Sequence, residues 1–315
     1  MPKRGYLGFS FPVLVGVLLV FLVLFVIGFA SGPLGKSMIG DFGLPFGLDR
    51  PEPKLPAEEV FHLFGFPVVN SIVGAWVTII FVVGFSYVIT RRMKVVPGRL
   101  QSVFEVLLGG LYNFCQNVAG EQNGRRFFPV VATIFLFVAF NAWLSLIPGF
   151  GSIEIINTEG HHVHLLRGAN TDINMPLALA LVSFVFVEYF GLRSLGIRYL
   201  GKFLNLGQFF SSMGLIFRGR LKAGLGGLFS GLINIFVGML EALSELIRIV
   251  SFTFRLFGVS TAGEILLLVG IFLGIRVLIE FFIGIELLFG FVQALIFAGL
   301  TLVFLTLATA HHGTE

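Results

Sequence analysis

Ionisable side chains recur at helical spacing inside an apolar stretch of the second half of the chain. Glu241, Arg248 and Arg255 are seven residues apart. A helix advances about 100° and 1.5 Å per residue, so they form one stripe about 21 Å long. Ser244 and Ser251 lie near it. Because a charge at the bilayer centre costs at least about 2.5–3.5 kcal/mol, Arg255 favours a functional role over a structural ion pair.

A second polar set lies beyond Arg255. Glu264 follows by nine residues, so a helix places it on roughly the opposite face, about 13 Å further toward the outside. Glu286 and Gln293 are seven apart and share a face of the next helix, and an antiparallel hairpin would bring Glu286 level with Glu264. The pattern indicates two offset aqueous half-paths, with Arg255 between them as a fixed cation that blocks a continuous proton wire.

The acid that meets Arg255 is expected from another subunit, because the sequence shows no internal repeat and no matched halves of the kind many secondary transporters have. Near Arg255 such an acid would lose its proton, since a neighbouring cation favours the charged form. The alternatives are a stand-alone ion channel or secondary transporter that binds an anion at Arg255, and an intramembrane enzyme or scaffold. Glu245 and Glu280 lie near the ends of their helix segments, where long side chains can reach water. The sequence does not decide whether Glu188 lies at the membrane interface or in a contact between helices.

Metal, cofactor and nucleotide sites are not expected. A histidine-rich run at 161–164 is typical of a solvated outside loop, with buffering of protons at a channel mouth as a lesser alternative. Cys115 is the single cysteine, which excludes a Cys-based metal site. No Gly-rich loop precedes a Lys-Ser or Lys-Thr pair, so we expect no nucleotide to bind this chain.

The composition requires a membrane environment for these elements. Of 315 residues, 56% are apolar and 12% charged, against about 45–50% and about 25% in soluble domains. Soluble enzymes, disordered chains and nucleic-acid-binding chains are excluded. Without β-barrel alternation, the expected class is an all-α polytopic membrane protein with about six membrane helices. We predict helices near 11–30, 67–90, 128–148, 173–192, 226–275 and 280–310.

Two further features refine this topology. Apolar residues between Leu100 and Val118 recur at helical spacing after Pro97, which predicts an amphipathic helix on the cytoplasmic surface. The first span follows Lys3 and Arg4 and has small residues near its end, so a cleaved signal peptide is the alternative to a retained span, which its length favours.

Lysine and arginine predict the orientation. Fourteen of the 21 lie before the first span or in the loops after the second and fourth, whereas the opposite loops hold five. Since cytoplasmic loops carry the positive excess, the C-terminus is expected in the cytoplasm. The N-terminus is cytoplasmic too unless the first span is cleaved.

Ordered motifs in this sequence resemble subunit a of F-type ATP synthases. They are LEALSELIR at 240–248, SFTFRLFG at 251–258, AGE at 262–264, PGRLQ at 97–101 with Glu105, FLF at 135–137 with Asn141, IPG at 147–149, TDIN at 171–174 and QALIF at 293–297. The resemblance covers about 65–310 and leaves out the first span.

The resemblance implies a proton-translocating stator that faces a rotating c-subunit ring, with b-type peripheral stalk subunits and lipid as its other partners. Arg255 matches the essential arginine that keeps the ring carboxylate deprotonated and separates the half-channels. The outer half-channel would comprise Glu264, Glu286, Gln293, Asp172 and Asn174, and the cytoplasmic one Glu241, Ser244, Arg248 and Ser251. Gly258 and Ala262 would let the ring approach closely.

The chain also departs from the family pattern. Val259 replaces the usual Asn, and Glu286 stands where many bacterial members have His. The expected organisation is an N-terminal span or signal segment at 1–31, an outside loop at 32–66 and a membrane domain at 67–312, with the proton-channel hairpin at 226–312. The expected location is a bacterial inner membrane.

Overall fold

The computed structural model describes residues 11–31, 56–91, 93–157, 160–196, 199, 201, 203, 221–273 and 276–310. In this part of the chain, seven α-helices accompany two short β-hairpins. In chain order these are α1 (Phe11–Ser31), β1 (Glu59–Leu63), β2 (Phe66–Val69), α2 (Asn70–Arg91), α3 (Arg99–Ala119), α4 (Glu121–Ser145), β3 (Glu154–Ile156), β4 (His162–His164), α5 (Asn174–Leu195), α6 (Leu221–Leu273) and α7 (Arg276–Thr309).

Five of these helices are long and apolar enough to cross a membrane: α2, α4, α5, α6 and α7, counted over the described residues. Helix α1 lies at the position predicted for the first span. The all-α polytopic class with a long C-terminal helix pair is therefore confirmed. Helix α4 begins at Glu121, seven residues before the predicted start, because it continues through a charged turn below the apolar stretch.

The amphipathic helix predicted after Pro97 is α3. Its apolar side buries Phe104, Leu111 and Cys115 against α4, while the opposite side is exposed. Gly120, at φ 79°, separates α3 from α4, and a Cβ on Gly124 would lie 2.7 Å from the Gln116 Cα. A glycine at position 124 therefore lets the surface helix fold tightly back on the span that follows it.

Helix α4 is the centre of the bundle. Phe127, Val131, Phe135 and Val138 are fully buried along one of its faces, which packs against α7 and α3. Polar contacts join the spans: Ser183 on α5 lies 2.8 Å from Thr301 on α7 through their hydroxyl groups. In a lipid bilayer the hydrophobic effect does not drive helices together, so their association depends on close packing and on interhelical hydrogen bonds of this kind.

The last two helices are longer than the hydrocarbon core of a bilayer is thick. At 1.5 Å per residue, the 53 residues of α6 span about 80 Å and the 34 residues of α7 about 51 Å. The hydrocarbon core is only about 30 Å thick, so each helix either tilts away from the membrane normal or extends beyond the core. They pack against each other and against α5.

The outer loops contain structure that the sequence analysis did not predict. Strands β1 and β2 form a hairpin whose tip holds Phe64 and Gly65 at positive φ. Strands β3 and β4 form a second hairpin beside it. The Asn70 amide at the start of α2 donates to the Glu58 carbonyl at 3.0 Å, which ties the first hairpin to the membrane domain.

Candidate functional site

A cavity of about 890 Å³ lies between α4, α6, α7 and the loops that hold Glu58, His164 and Arg167. At about 30 Å³ per water, it has room for on the order of thirty water molecules. Its wall carries charged, amide and imidazole side chains, contributed by Glu58, Asn70, Asn141, His164, Arg167, Asn170, Glu264, Glu286 and Gln293. The rest of the wall is largely apolar, with Val138, Leu146, Phe150, Leu267 and Phe289 among its residues. The cavity therefore brings a set of polar side chains together inside a mostly apolar lining.

The hairpin of α6 and α7 brings Glu264, Glu286 and Gln293 to this one cavity, as the helical spacing predicted. The Glu286 carboxyl group lies against Gly263, where an added Cβ would fall on its Oε1 and 2.6 Å from its Cδ. A glycine beside Glu264 is thus what admits the second glutamate. Gln293 lies seven residues, or about 10 Å, further along the same face of α7.

An arginine that the sequence analysis placed only among the outside charges pairs with Glu264. Arg167 Nε donates to Glu264 Oε1 at 3.1 Å and to Oε2 at 3.3 Å, and its Nη2 donates to Oε2 at 2.9 Å. The Arg167 side chain is only 11% exposed. Its Nη1 also donates to the Pro56 carbonyl at 3.2 Å. No local sequence pattern marks Arg167, because its partner is 97 residues away.

Asp172 and Asn174 lie beside the cavity, and neither is among the described residues of its wall. Asp172 is buried, and its Oδ2 accepts a hydrogen bond from Ser71 Oγ at 2.8 Å. Its Oδ1 accepts from the amide and side-chain nitrogens of Asn174, both at 3.1 Å. In this geometry the pair joins the first turn of α2 to the first turn of α5, one residue from the wall residue Thr171.

Arg255 lies next to the inner end of the cavity, since Leu256 and Val259 line it. Arg255 is half-buried, with Nη2 3.5 Å from Ser251 Oγ and its guanidinium carbon 6.0 Å from the Phe252 ring centre. Among the residues described here, no carboxylate lies within ion-pair distance of it. Gly258 and Ala262 are exposed, and a Cβ on Gly258 would meet no atom within 4 Å.

A buried charge cluster occupies the N-terminal half of α6. Glu245 is only 6% exposed and forms an ion pair with Arg248, whose guanidinium carbon lies 4.1 Å from the Phe304 ring centre. The expectation that Glu245 reaches water near a helix end is therefore wrong, because α6 continues in both directions past it. Glu241 is half-buried and Ser244 is exposed on the same helix.

Glu188 on α5 lies near this Glu245–Arg248 cluster. The sequence left its surroundings undecided, and the structure shows that it contacts Tyr199. The Tyr199 hydroxyl donates to Glu188 Oε1 at 3.2 Å. Burial, and then the adjacent Glu188 carboxylate, raises the pKa of the Tyr199 phenol above its ordinary value. A Cβ on Gly191 would lie 2.6 Å from the Tyr199 ring, so this glycine admits the tyrosine against α5.

The histidine run is exposed at the protein surface. His162 and His164 belong to β4, with their side chains exposed, and His164 also borders the cavity. The His164 amide donates to Glu58 Oε2 at 3.2 Å. No group of three or more His, Cys, Asp or Glu side chains arranged to hold a metal occurs in the described ranges.

Comparison with known proteins identifies relatives along most of the chain. The family model described as ATP synthase A chain matches residues 72–306. The ATP synthase subunit a of Desulfosudis oleivorans is 29% identical over 241 residues, which cover 76% of this chain and 88% of that protein. The ATP synthase subunit a of Moorella thermoacetica is 26% identical over 251 residues, covering 78% and 94%. The ATP synthase subunit a 3 of Pelobacter propionicus is 30% identical over 243 residues, covering 75% and 86%.

Proposed function

Since the chain belongs to the ATP synthase A chain family, we propose that it is the stator subunit that passes protons to and from the carboxylates of a c-subunit ring. Two offset half-channels and the Arg255 gate between them perform this transfer. The observation that carries the proposal is the cavity whose polar side chains extend from the loops that hold Glu58 and His164 to the helix residues adjoining Arg255. On its own the chain is not an enzyme, and it serves as a subunit of the proton-transporting complex.

The cavity is the outer half-channel in this proposal. Protons enter at the loops that hold Glu58 and His164 and pass the carboxyl groups of α6 and α7. Gln293 lies deepest among the polar wall residues of α7. Asp172 and Asn174 act here by fixing the loop at the channel mouth, since their hydrogen bonds join α2 to α5.

Arg255 is the gate. A ring carboxylate that comes next to it is held in the charged form, because a nearby cation stabilises the anion. A cation at this point also repels a proton that would pass directly between the half-channels. The absence of an ion pair between Arg255 and any described carboxylate supports this role, since its charge stays available for a group from another subunit.

The cytoplasmic half-channel runs along the inner half of α6. It comprises Glu241, Ser244, Arg248 and Ser251, with Glu245 and Glu188 as further acids beside them. Moving one charge through 100 mV is worth about 2.3 kcal/mol. A half-channel that drops part of this potential biases the ring carboxylates by more than the thermal energy, so rotation takes a direction if Arg255 prevents leakage.

The exposed apolar side of α6 is the surface offered to the ring. Phe254, Gly258 and Ala262 lie along it, four residues apart. Two small residues there permit close helix approach. Other exposed apolar faces meet lipid or b-type peripheral stalk subunits. The protein is a multi-pass membrane protein, and we place it in a bacterial inner membrane with its C-terminus in the cytoplasm, following the lysine and arginine distribution.

This function is tested against a stand-alone channel or transporter by reconstitution. The purified chain, the c ring and both together are placed in liposomes, and proton uptake is measured under an imposed potential. Flux that requires both components supports the stator. Flux through the chain alone, dependent on an added anion, would establish the transporter instead.

A further inference from the structure

We propose that Arg167 is a positioning residue that commits Glu264 of α6 to a permanent ion pair and leaves Glu286 of α7 as the carboxyl group of this helix pair that takes up and releases a proton. This inference rests on the proposed outer half-channel. It gives the two glutamates of the helix pair different roles, one as a fixed charge and the other as a mobile proton site.

The geometry of the ion pair fixes the charge on Glu264. Arg167 engages both oxygens of Glu264 through two nitrogens, at 2.9–3.3 Å. This bidentate form is the strongest and most directional of the carboxylate contacts. A proton arriving on Glu264 would have to displace a guanidinium group that is almost entirely buried. Glu264 is therefore poorly placed to act as a carrier.

Arg167 is itself held from several sides. Its Nη1 donates to the Pro56 carbonyl. Its backbone packs against α2, where a Cβ on Gly74 would fall on the Arg167 carbonyl oxygen. The neighbouring Gly168 leaves 3.2 Å between its Cβ position and the Ser145 Cβ of α4. The guanidinium is thus a fixed feature of the cavity wall rather than a mobile surface charge.

Glu286 lies in a different environment from Glu264. Its carboxyl group lies against Gly263, and its Oε2 is buried without a hydrogen-bond partner among the described residues. No described cation lies within ion-pair distance of it. A carboxyl group in such a setting can gain and lose a proton without breaking an ion pair. Protons thus pass from the water of the cavity to Glu286 and on to the ring.

The test measures ATP-driven proton pumping per assembled complex for Glu264→Gln, Arg167→Gln and the double variant. Glu264→Gln removes the carboxylate that balances the Arg167 charge, and the uncompensated cation in the cavity then favours the charged form of Glu286, so pumping falls at least tenfold. Arg167→Gln leaves an unneutralised Glu264 beside Glu286 and also lowers pumping. The double variant removes both charges, and we expect it to pump at least threefold faster than Glu264→Gln. Glu286→Gln abolishes pumping because an amide group does not take up and release a proton at physiological pH.

Two results overturn the proposal. A double variant as inactive as Glu264→Gln would mean that Glu264 itself carries the proton. Single variants that pump normally per complex, with reduced yield only, would mean a purely structural ion pair. If the glutamine variants do not assemble, Arg167→Lys decides, because it keeps the charge: pumping within threefold of the unmodified complex supports the proposal, and a tenfold loss contradicts it.

Control variants separate this inference from the function it rests on. Arg193→Gln removes an exposed arginine that donates only to Tyr189 among the described residues, and its pumping stays unchanged. If Arg255→Ala pumps normally, the stator function fails. If Arg255→Ala is inactive and the double variant shows no recovery, only the assignment of Arg167 fails.

Discussion

The carboxyl group of Glu286 lies directly against Gly263, so the two arms of the C-terminal hairpin meet at the point where a second glutamate, Glu264, projects from α6. The contact leaves no space for a side chain on α6. It therefore sets both the separation of the two helices and the position of Glu286 in the cavity.

Replacing Gly263 with alanine is expected to impair proton transfer without unfolding the protein. The new Cβ would occupy the position of the Glu286 carboxyl group, which sits at the end of a flexible side chain and can move away. We expect assembly to be retained and ATP-driven pumping to fall at least fivefold. The measurement is acidification of inverted vesicles, normalised to the amount of complex.

The matched control for that variant is Gly109→Ala. Gly109 is a helical glycine in α3 with nothing within 4 Å of its Cβ position. Alanine is favoured over glycine in a helix by about 0.5–1 kcal/mol, so stability should hold or rise. Equal loss of pumping in the two alanine variants would show that contact with Glu286 is not the cause.

The Glu245–Arg248 pair predicts a large asymmetry between single and double variants. Both side chains are largely buried, and breaking one partner of a buried pair costs about 3–5 kcal/mol, because the other charge is left uncompensated. Glu245→Leu should therefore lower the melting temperature of the purified protein markedly. Glu245→Leu with Arg248→Leu should be more stable than Glu245→Leu alone. A double variant less stable than both singles would contradict the pairing.

Tyr199 predicts a stability change confined to alkaline pH. Its pKa is raised in the folded protein, so its contribution is complete below the ordinary tyrosine value of about 10 and is lost as pH rises toward the folded value. Between pH 7 and 9 the contribution should be constant. Above about pH 10 thermal stability should decline more steeply than in Tyr199→Phe. Identical curves for the two proteins would show that folding does not raise the pKa of Tyr199.

Much of this arrangement could be predicted from the sequence, because residues at regular spacing lie on the same face of a helix. Seven-residue spacing placed Glu286 and Gln293 on one face, and hairpin pairing placed Glu286 beside Glu264. The amphipathic α3 was predicted from its periodic apolar residues. These predictions rely on local periodicity, which a long apolar helix preserves.

The remainder depends on contacts between distant segments. Arg167 meets Glu264 across 97 residues, and Tyr199 meets Glu188 only because Gly191 leaves room for its ring. Glu245 was expected to reach water, yet the continuation of α6 buries it. Loop conformation and helix crossing decide such contacts, and neither leaves a periodic signal in the sequence.

The central claim is tested most directly by ATP-driven acidification of inverted membrane vesicles that carry Arg255→Ala, with assembly verified by co-purification of the c ring. The proposed function predicts a complex that assembles with its ring and pumps no protons. Pumping near the unmodified rate in such a complex would contradict the assignment of Arg255 as the gate between the half-channels.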